Sequence, residues 1–215
     1  MIRRLTEATL VGAGGALVGG AAGSVIGLGL PAACVACCNG LISGWRGIYD
    51  WRCSTGIVAA VLDSSWAIVT TSGALGSHLI AALLRGAYVP ELSARRNRHV
   101  YRGGFSPRRG FAVTVGNTIS GAGDVSTPTR RHLVDHHEEV HIWQSRILGP
   151  GFVVMYLGWL VIGAALGLTS WVRSRLSGDR SSTLWSAIDR CAYWNHPLER
   201  QAYLRASRAN QVSPD

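Results

Sequence analysis

Lysine is absent from this 215-residue chain, and all 21 basic residues are arginine. Lysine would serve solubility equally well, so its absence points to the coding bias of a GC-rich genome. Charge of either sign is scarce as well, at 15% of residues, and residues 8–45 carry none. Together with 27 glycines and a positive mean hydropathy, this is the composition of a membrane-embedded chain rather than of a soluble enzyme. The five cysteines (Cys34, Cys37, Cys38, Cys53, Cys191) are odd in number and three sit in an apolar run, which excludes a secreted disulfide framework. Cys-x-x-Cys-Cys offers metal binding or lipidation, but small apolar residues packing in a membrane helix is the expectation. No clean small-x-small cleavage site follows the basic start at Arg3 and Arg4 within the usual length, and Leu-Pro-Ala-Ala-Cys at 30–34 is a poor lipoprotein signal. An uncleaved anchor is therefore expected. No aromatic-interleaved basic motif accompanies the formal charge of +9, so the expected counter-charge is anionic lipid and not nucleic acid.

Within the uncharged stretch, Gly15, Gly19, Gly23 and Gly27 recur every fourth residue. On a helix they form one smooth face against which another backbone can lie, the small-xxx-small pattern of membrane helix packing. A partner helix or a second copy of the chain would suit that face. Residues 9–30 are expected to cross a bilayer once, with Pro31 ending or bending the helix. Residues 32–45 then form a re-entrant arm or a short return helix. Residues 49–53, with Trp and Tyr beside charges, read as interfacial. Residues 64–84 could just span the membrane or lie buried under the domain that follows, and the membrane helix is preferred.

The pattern changes near residue 99. Two short runs, 100–105 and 111–119, are rich in β-branched and aromatic residues and flank a turn at 106–110, which predicts a β-hairpin. A helix is expected over 129–148, broken by Gly149-Pro150-Gly151. An apolar run follows at 152–172, then a polar linker and a last helix over 183–208. The domains predicted are an anchor with its return segment at 1–53, an apolar helical segment at 54–90, a domain at 91–208 and a disordered tail at 209–215.

The chemistry sits in His-Glu-Glu-Val-His at 137–141. On a helix, residues four apart share a face, so His137 and His141 can bind one zinc ion while Glu138 reaches a water on it as general base. Chance alone would place such a run somewhere in a chain of this composition about once in two hundred cases. Catalytic zinc usually takes three protein ligands plus water. Glu199, on the last predicted helix, is the expected third, because Glu7 and Glu91 lie upstream and Glu139 projects from the wrong part of the motif helix. Tyr203 or His196 is expected to steady a developing oxyanion. His136 and Glu139 are expected as solvated neighbours and His78 as a packed histidine.

These segments resemble the gluzincin clan of zinc metallopeptidases, in which an H-E-x-x-H helix is joined by a Glu from a later helix. More closely, the runs at 44–51 (Gly-Trp-Arg-Gly-Ile-Tyr-Asp-Trp), 97–105 (Asn-Arg-His-Val-Tyr-Arg-Gly-Gly-Phe), 137–150 and 195–203 (Asn-His-Pro-Leu-Glu-Arg-Gln-Ala-Tyr) resemble a group of uncharacterised actinobacterial membrane proteins. The resemblance covers most of residues 44–203 and implies a zincin-like core. Many gluzincins carry Asp four residues after the ligand Glu, where this chain has Tyr203. The fold class expected is a mostly α membrane protein with a small α+β zincin-like core made of the β-hairpin, the motif helix and the C-terminal ligand helix. The function expected is a membrane-bound zinc peptidase acting on peptides or membrane-protein segments near the lipid surface of the cell membrane. The alternative is a catalytically silent scaffold associating through its glycine face.

One topological problem accompanies this assignment. A single crossing by 152–172 would separate His141 from Glu199, and a double crossing needs ~40 residues that are not there. Either the stretch lies in the interface, or the last helix climbs back, or Glu199 is not a ligand. The first is preferred, because Asp189 and Arg190 would be costly at mid-membrane. The arginine excess over 85–146 then places the domain on the cytoplasmic side.

Overall fold

The uncharged stretch folds back on itself. In the computed structural model, which describes residues 1–106, 108 and 110–212, helix α1 (Ile2–Ser24) returns as α2 (Gly29–Arg46). Three glycines of the expected stripe, Gly15, Gly19 and Gly23, are buried against α2. A Cβ at Gly19 would stand 2.7 Å from the Ala36 Cβ and 2.8 Å from the Ala32 carbonyl oxygen. Gly44 answers from α2, where a Cβ would stand 2.6 Å from the Ala8 Cα. Gly27 differs from expectation. It lies in the turn after α1, with nothing within 4 Å of a Cβ, and Gly12 joins the buried face instead. The close backbone approach that the spacing permits is thus made within one chain. Pro31 also differs: α1 has already ended, and Pro31 sits in the first turn of α2, where a missing N–H breaks no helical bond. Gly47 closes α2 in the left-handed region (φ +62°), and the Ile48 amide donates back to the Ser43 carbonyl at 3.1 Å.

Residues 64–84 do not form one helix. Helix α3 (Ser54–Ser64) and α4 (Ile68–Leu83) meet at 89°. The break has local causes: the Thr71 hydroxyl donates to the Asp63 carbonyl at 2.8 Å, and the Trp66 indole donates to the Ile147 carbonyl at 3.0 Å. Helix α4 runs beneath a three-stranded sheet of order β1-β3-β2, where β1 is His99–Val100, β2 Val113–Val115 and β3 Thr118–Ser120. The hairpin differs from the expected one. It joins β2 to β3, both inside the second β-rich run, through Gly116-Asn117, while β1 pairs with β3 in parallel. A two-residue Gly-Asn turn demands positive φ, and Gly116 supplies it at +56°. Within the expected turn at 106–110, Pro107 and Arg109 lie outside the described residues.

The chain divides into two compact units, Met1–Pro150 and Gly151–Asp215. The first unit encloses a small apolar core in which Val100, Ile119, Val134 and Ile142 are fully buried. Beside it lies a buried ionic network that ties five separate positions of the chain together. Arg146 donates to both carboxylate oxygens of Asp63 at 2.8 and 2.7 Å and to the Asn97 carbonyl at 2.6 Å. Asp63 also accepts from the Tyr49 hydroxyl at 2.9 Å and from the Asn117 amide at 3.2 Å. Both ionic side chains are nearly inaccessible, at 1% and 2%. A second polar cluster holds His99, whose Nε2 lies 3.1 Å from the Ser43 hydroxyl. Burial, reinforced by His78, Arg46 and Arg146, keeps the His99 imidazole well below its ordinary pKa, so it stands neutral. His78 is packed as expected, its Nδ1 2.9 Å from the Tyr101 hydroxyl.

In the second unit, α7 (Pro150–Leu176) is followed by a capped helix α8 (Leu184–Asp189), a π-helical turn Arg190–Trp194 and α9 (Pro197–Val212). The chain climbs back along α7. A Cβ at Gly163 would meet the Ala192 Cα at 2.5 Å, and one at Gly167 would meet the Ile188 Cα at 2.6 Å. The return sets His196 against Tyr156, with ring centroids 4.3 Å apart. Helix α9 takes in residues 209–212 of the expected tail, and 213–215 lie outside the described residues. Among the described residues, α1 and α7 are long and apolar enough to cross a membrane, and α3 with α4 pass the same test as a bent pair. The protein is thus a mostly helical chain with a small sheet and the makings of membrane association.

Candidate metal centre

The histidine motif lies in a continuous helical run, α5 (Pro128–His132), a π-helical stretch Leu133–Glu138, and α6 (Glu139–Leu148). Thr127 enters with extended backbone and Pro128 occupies the first turn, as the sequence signals. The wider π turn, which inserts a residue and re-aims the side chains beyond it, ends inside the motif itself. His137 and His141 are both buried, and their Nε2 atoms converge to 3.2 Å. Two nitrogens each about 2.0–2.1 Å from a tetrahedral ion would stand about 3.3 Å apart, so the imidazoles are set for one shared cation. The His141 Nδ1 lies 2.8 Å from the Gln144 side-chain oxygen. With Nδ1 donating to that oxygen, Nε2 would keep its lone pair for a metal.

The acidic groups on this helical run are sorted by direction. Glu138 is buried, and its Oε2 accepts from the Thr114 hydroxyl of β2 at 2.7 Å. Asp135 and Glu139 are drawn the other way, to Arg98, which is itself 1% exposed and donates further to the Leu92 carbonyl at 3.0 Å. Glu139 is a surface charge as expected, with its side chain 42% exposed, and it is also ion-paired to Arg98. His136 is exposed, as expected. The π turn and Arg98 together fix which face of the helix carries His137 and Glu138.

Glu199 stands in the first turn of α9 and is buried. Tyr156 of α7 donates to its Oε1 at 2.8 Å. His137, His141 and Glu199 form a buried group whose ligand atoms all lie within 4.8 Å of one another, and such a group can hold a metal ion. Tyr203, one turn beyond Glu199, has its hydroxyl 3.3 Å from that of Tyr193 and its ring on Trp194. The supporting residues Thr114, Gln144 and Tyr156 were not singled out in the sequence. Of these, Tyr156 left the clearest signal, as the one hydroxyl-bearing aromatic in the apolar run 152–172.

Replacing Gln144 by Leu is expected to weaken metal affinity by roughly 10–100-fold, the usual effect of losing an outer partner that orients a ligand histidine. Competition against a chromophoric chelator measures it. Unchanged affinity would show that the His141 tautomer is held by another group. Comparison with protein-family models, with curated proteins and with solved structures finds no match for this chain.

Proposed function

We propose that this protein is a membrane-bound, zinc-dependent peptide hydrolase whose ligands are His137, His141 and Glu199 and whose general base is Glu138. The observation that supports this most is the pairing of a buried His-His-Glu group with a separately held carboxylate one residue after its first histidine. Two imidazoles and a carboxylate suit several divalent ions, and zinc is the one that most often takes this set with an open fourth position. A bound zinc ion supplies Lewis acidity for a peptide carbonyl and lowers the pKa of its water towards about 7. Thr114 occupies Oε2 of Glu138, which leaves Oε1 to accept the proton of the attacking water and return it to the departing amine. Strand β2 is an edge of the sheet, and its open side offers backbone groups to an extended peptide beside Glu138. Tyr203 is assigned to the developing oxyanion. The substrates are peptides or membrane-protein segments close to the lipid surface, with the domain facing the cytoplasm.

Metal analysis of detergent-solubilised protein tests the ligand set. Wild type is expected to bind one divalent ion per chain. Glu199→Ala should weaken that binding by more than the roughly 10–100-fold cost of an outer-sphere loss. Chelation should abolish hydrolysis of a mixed peptide library. Wild-type affinity in Glu199→Ala would remove the third ligand from the proposal. Tight metal binding with no hydrolysis under any condition would favour the silent scaffold instead.

A further inference from the structure

A long apolar groove of about 790 Å³ runs between α1 and α3, lined by Leu10, Val11, Gly14, Val18, Ile57 and Val61 among others. From Arg3 at one end to Val18 at the other it follows α1 for about 22 Å at 1.5 Å per residue. That exceeds the ~15 Å half-thickness of a hydrocarbon core. At the Arg3 end it joins a second cavity of about 310 Å³, which shares Arg3, Glu7 and Arg95 with it and adds Arg4, Trp45 and Arg46.

The mouth is strongly positive. Its one carboxylate, Glu7, is consumed by a two-pronged bond from Arg95 at 2.6 and 2.8 Å and by the Trp51 indole at 2.9 Å. Among the described residues Arg3, Arg4 and Arg46 have no ion-pair partner, though the Arg3 charge is felt at Glu7, and Arg46 is met by Tyr101 and Tyr88. Trp45 and Trp51 flank the mouth, partly exposed, as indoles do at head-group level. An apolar channel longer than a leaflet's half-depth, opening at a cluster of unneutralised guanidinium groups beside interfacial tryptophans, is complementary to an amphiphile with a negative head.

We propose that this groove binds one anionic phospholipid, with an acyl chain along α1 and the phosphate against Arg3 and Arg4. The site is independent of the metal centre and of the hydrolase proposal.

The test uses the full chain in mild detergent, incubated with equal amounts of phosphatidylglycerol and phosphatidylcholine, with bound lipid read by native mass spectrometry. One phosphatidylglycerol per chain, preferred at least tenfold, is expected. Gly14→Leu should cut its retention at least tenfold, because a Cβ at Gly14 meets no atom within 4 Å and the new side chain enters the groove without disturbing α2. Gly158→Leu on α7, equally unobstructed, should leave retention unchanged. Val18→Trp fills the same channel one turn further on, so agreement between the two variants separates filling from misfolding. Arg3→Gln with Arg4→Gln should remove the preference for the anionic lipid. Full retention in both groove-filling variants, or equal binding of the two lipids by wild type, would overturn the proposal. Displacement of the lipid by soluble glycerol phosphate would overturn it too, by showing that the site recognises a free phosphate.

Discussion

Glu138→Gln is expected to keep its metal and lose its chemistry, with peptide hydrolysis falling by about 10²–10⁴-fold, the range assigned to a positioned general base. That is about 2.7–5.4 kcal/mol of barrier. The amide matches the carboxylate in size, and it can still engage the Thr114 hydroxyl, so the local structure should hold. What it lacks is basicity: an amide oxygen cannot take a proton from water near neutral pH. Metal content should be unaffected, because the group that could hold the ion is His137, His141 and Glu199, without Glu138. Parallel measurement of bound metal and of chelator-sensitive hydrolysis separates the two effects. If the variant hydrolyses peptides as fast as wild type, the activity does not arise at this helix.

Asp63→Ala is expected to cost the first unit about 3–5 kcal/mol, because it leaves the Arg146 guanidinium buried without its counter-charge. Against a typical total stability of about 5–15 kcal/mol this loss is severe. The effect should reach the motif helix, since Arg146 lies on α6, five residues after His141. A double variant, Asp63→Leu with Arg146→Met, should recover only part of the loss. Exchanging a buried ion pair for apolar groups is often neutral or better. Here, however, Tyr49 and Asn117 would lose an acceptor, at about 1–3 kcal/mol for each buried group left unsatisfied. Denaturant unfolding in detergent, followed by tryptophan fluorescence, measures all three proteins. A single variant within about 1 kcal/mol of wild type would mean that water reaches Arg146.

The histidine pair of the candidate metal group was legible because it depends on short-range spacing. His137 and His141 announce a shared face, and Glu199 was the one glutamate well placed downstream. The π turn was not legible, since nothing in Leu133–Glu138 distinguishes a wide turn from an ordinary one. The glycine spacing showed that something would approach α1 closely, but not that α2 of the same chain would do so. Gly116-Asn117 was a readable hairpin signal masked by the larger proline and glycine cluster just before it. Gly163 and Gly167 form a small-xxx-small pair inside the apolar run, the same pattern recognised in α1. Given its due, that pair would have predicted the return along α7. The cost of placing Asp189 and Arg190 beside an apolar helix argued against it. Thr114, Gln144 and Tyr156 act through contacts of 2.7–2.8 Å that only the fold creates.

The packing of α7 on the returning chain has a further consequence. Backbone meets backbone at Gly163 and Gly167, so this splint has no side-chain cushion to absorb an added methyl group. The residue that delivers the carboxylate stands more than thirty positions beyond those glycines. A single carbon placed there would push the returning chain off α7 and shift the helix that carries Glu199.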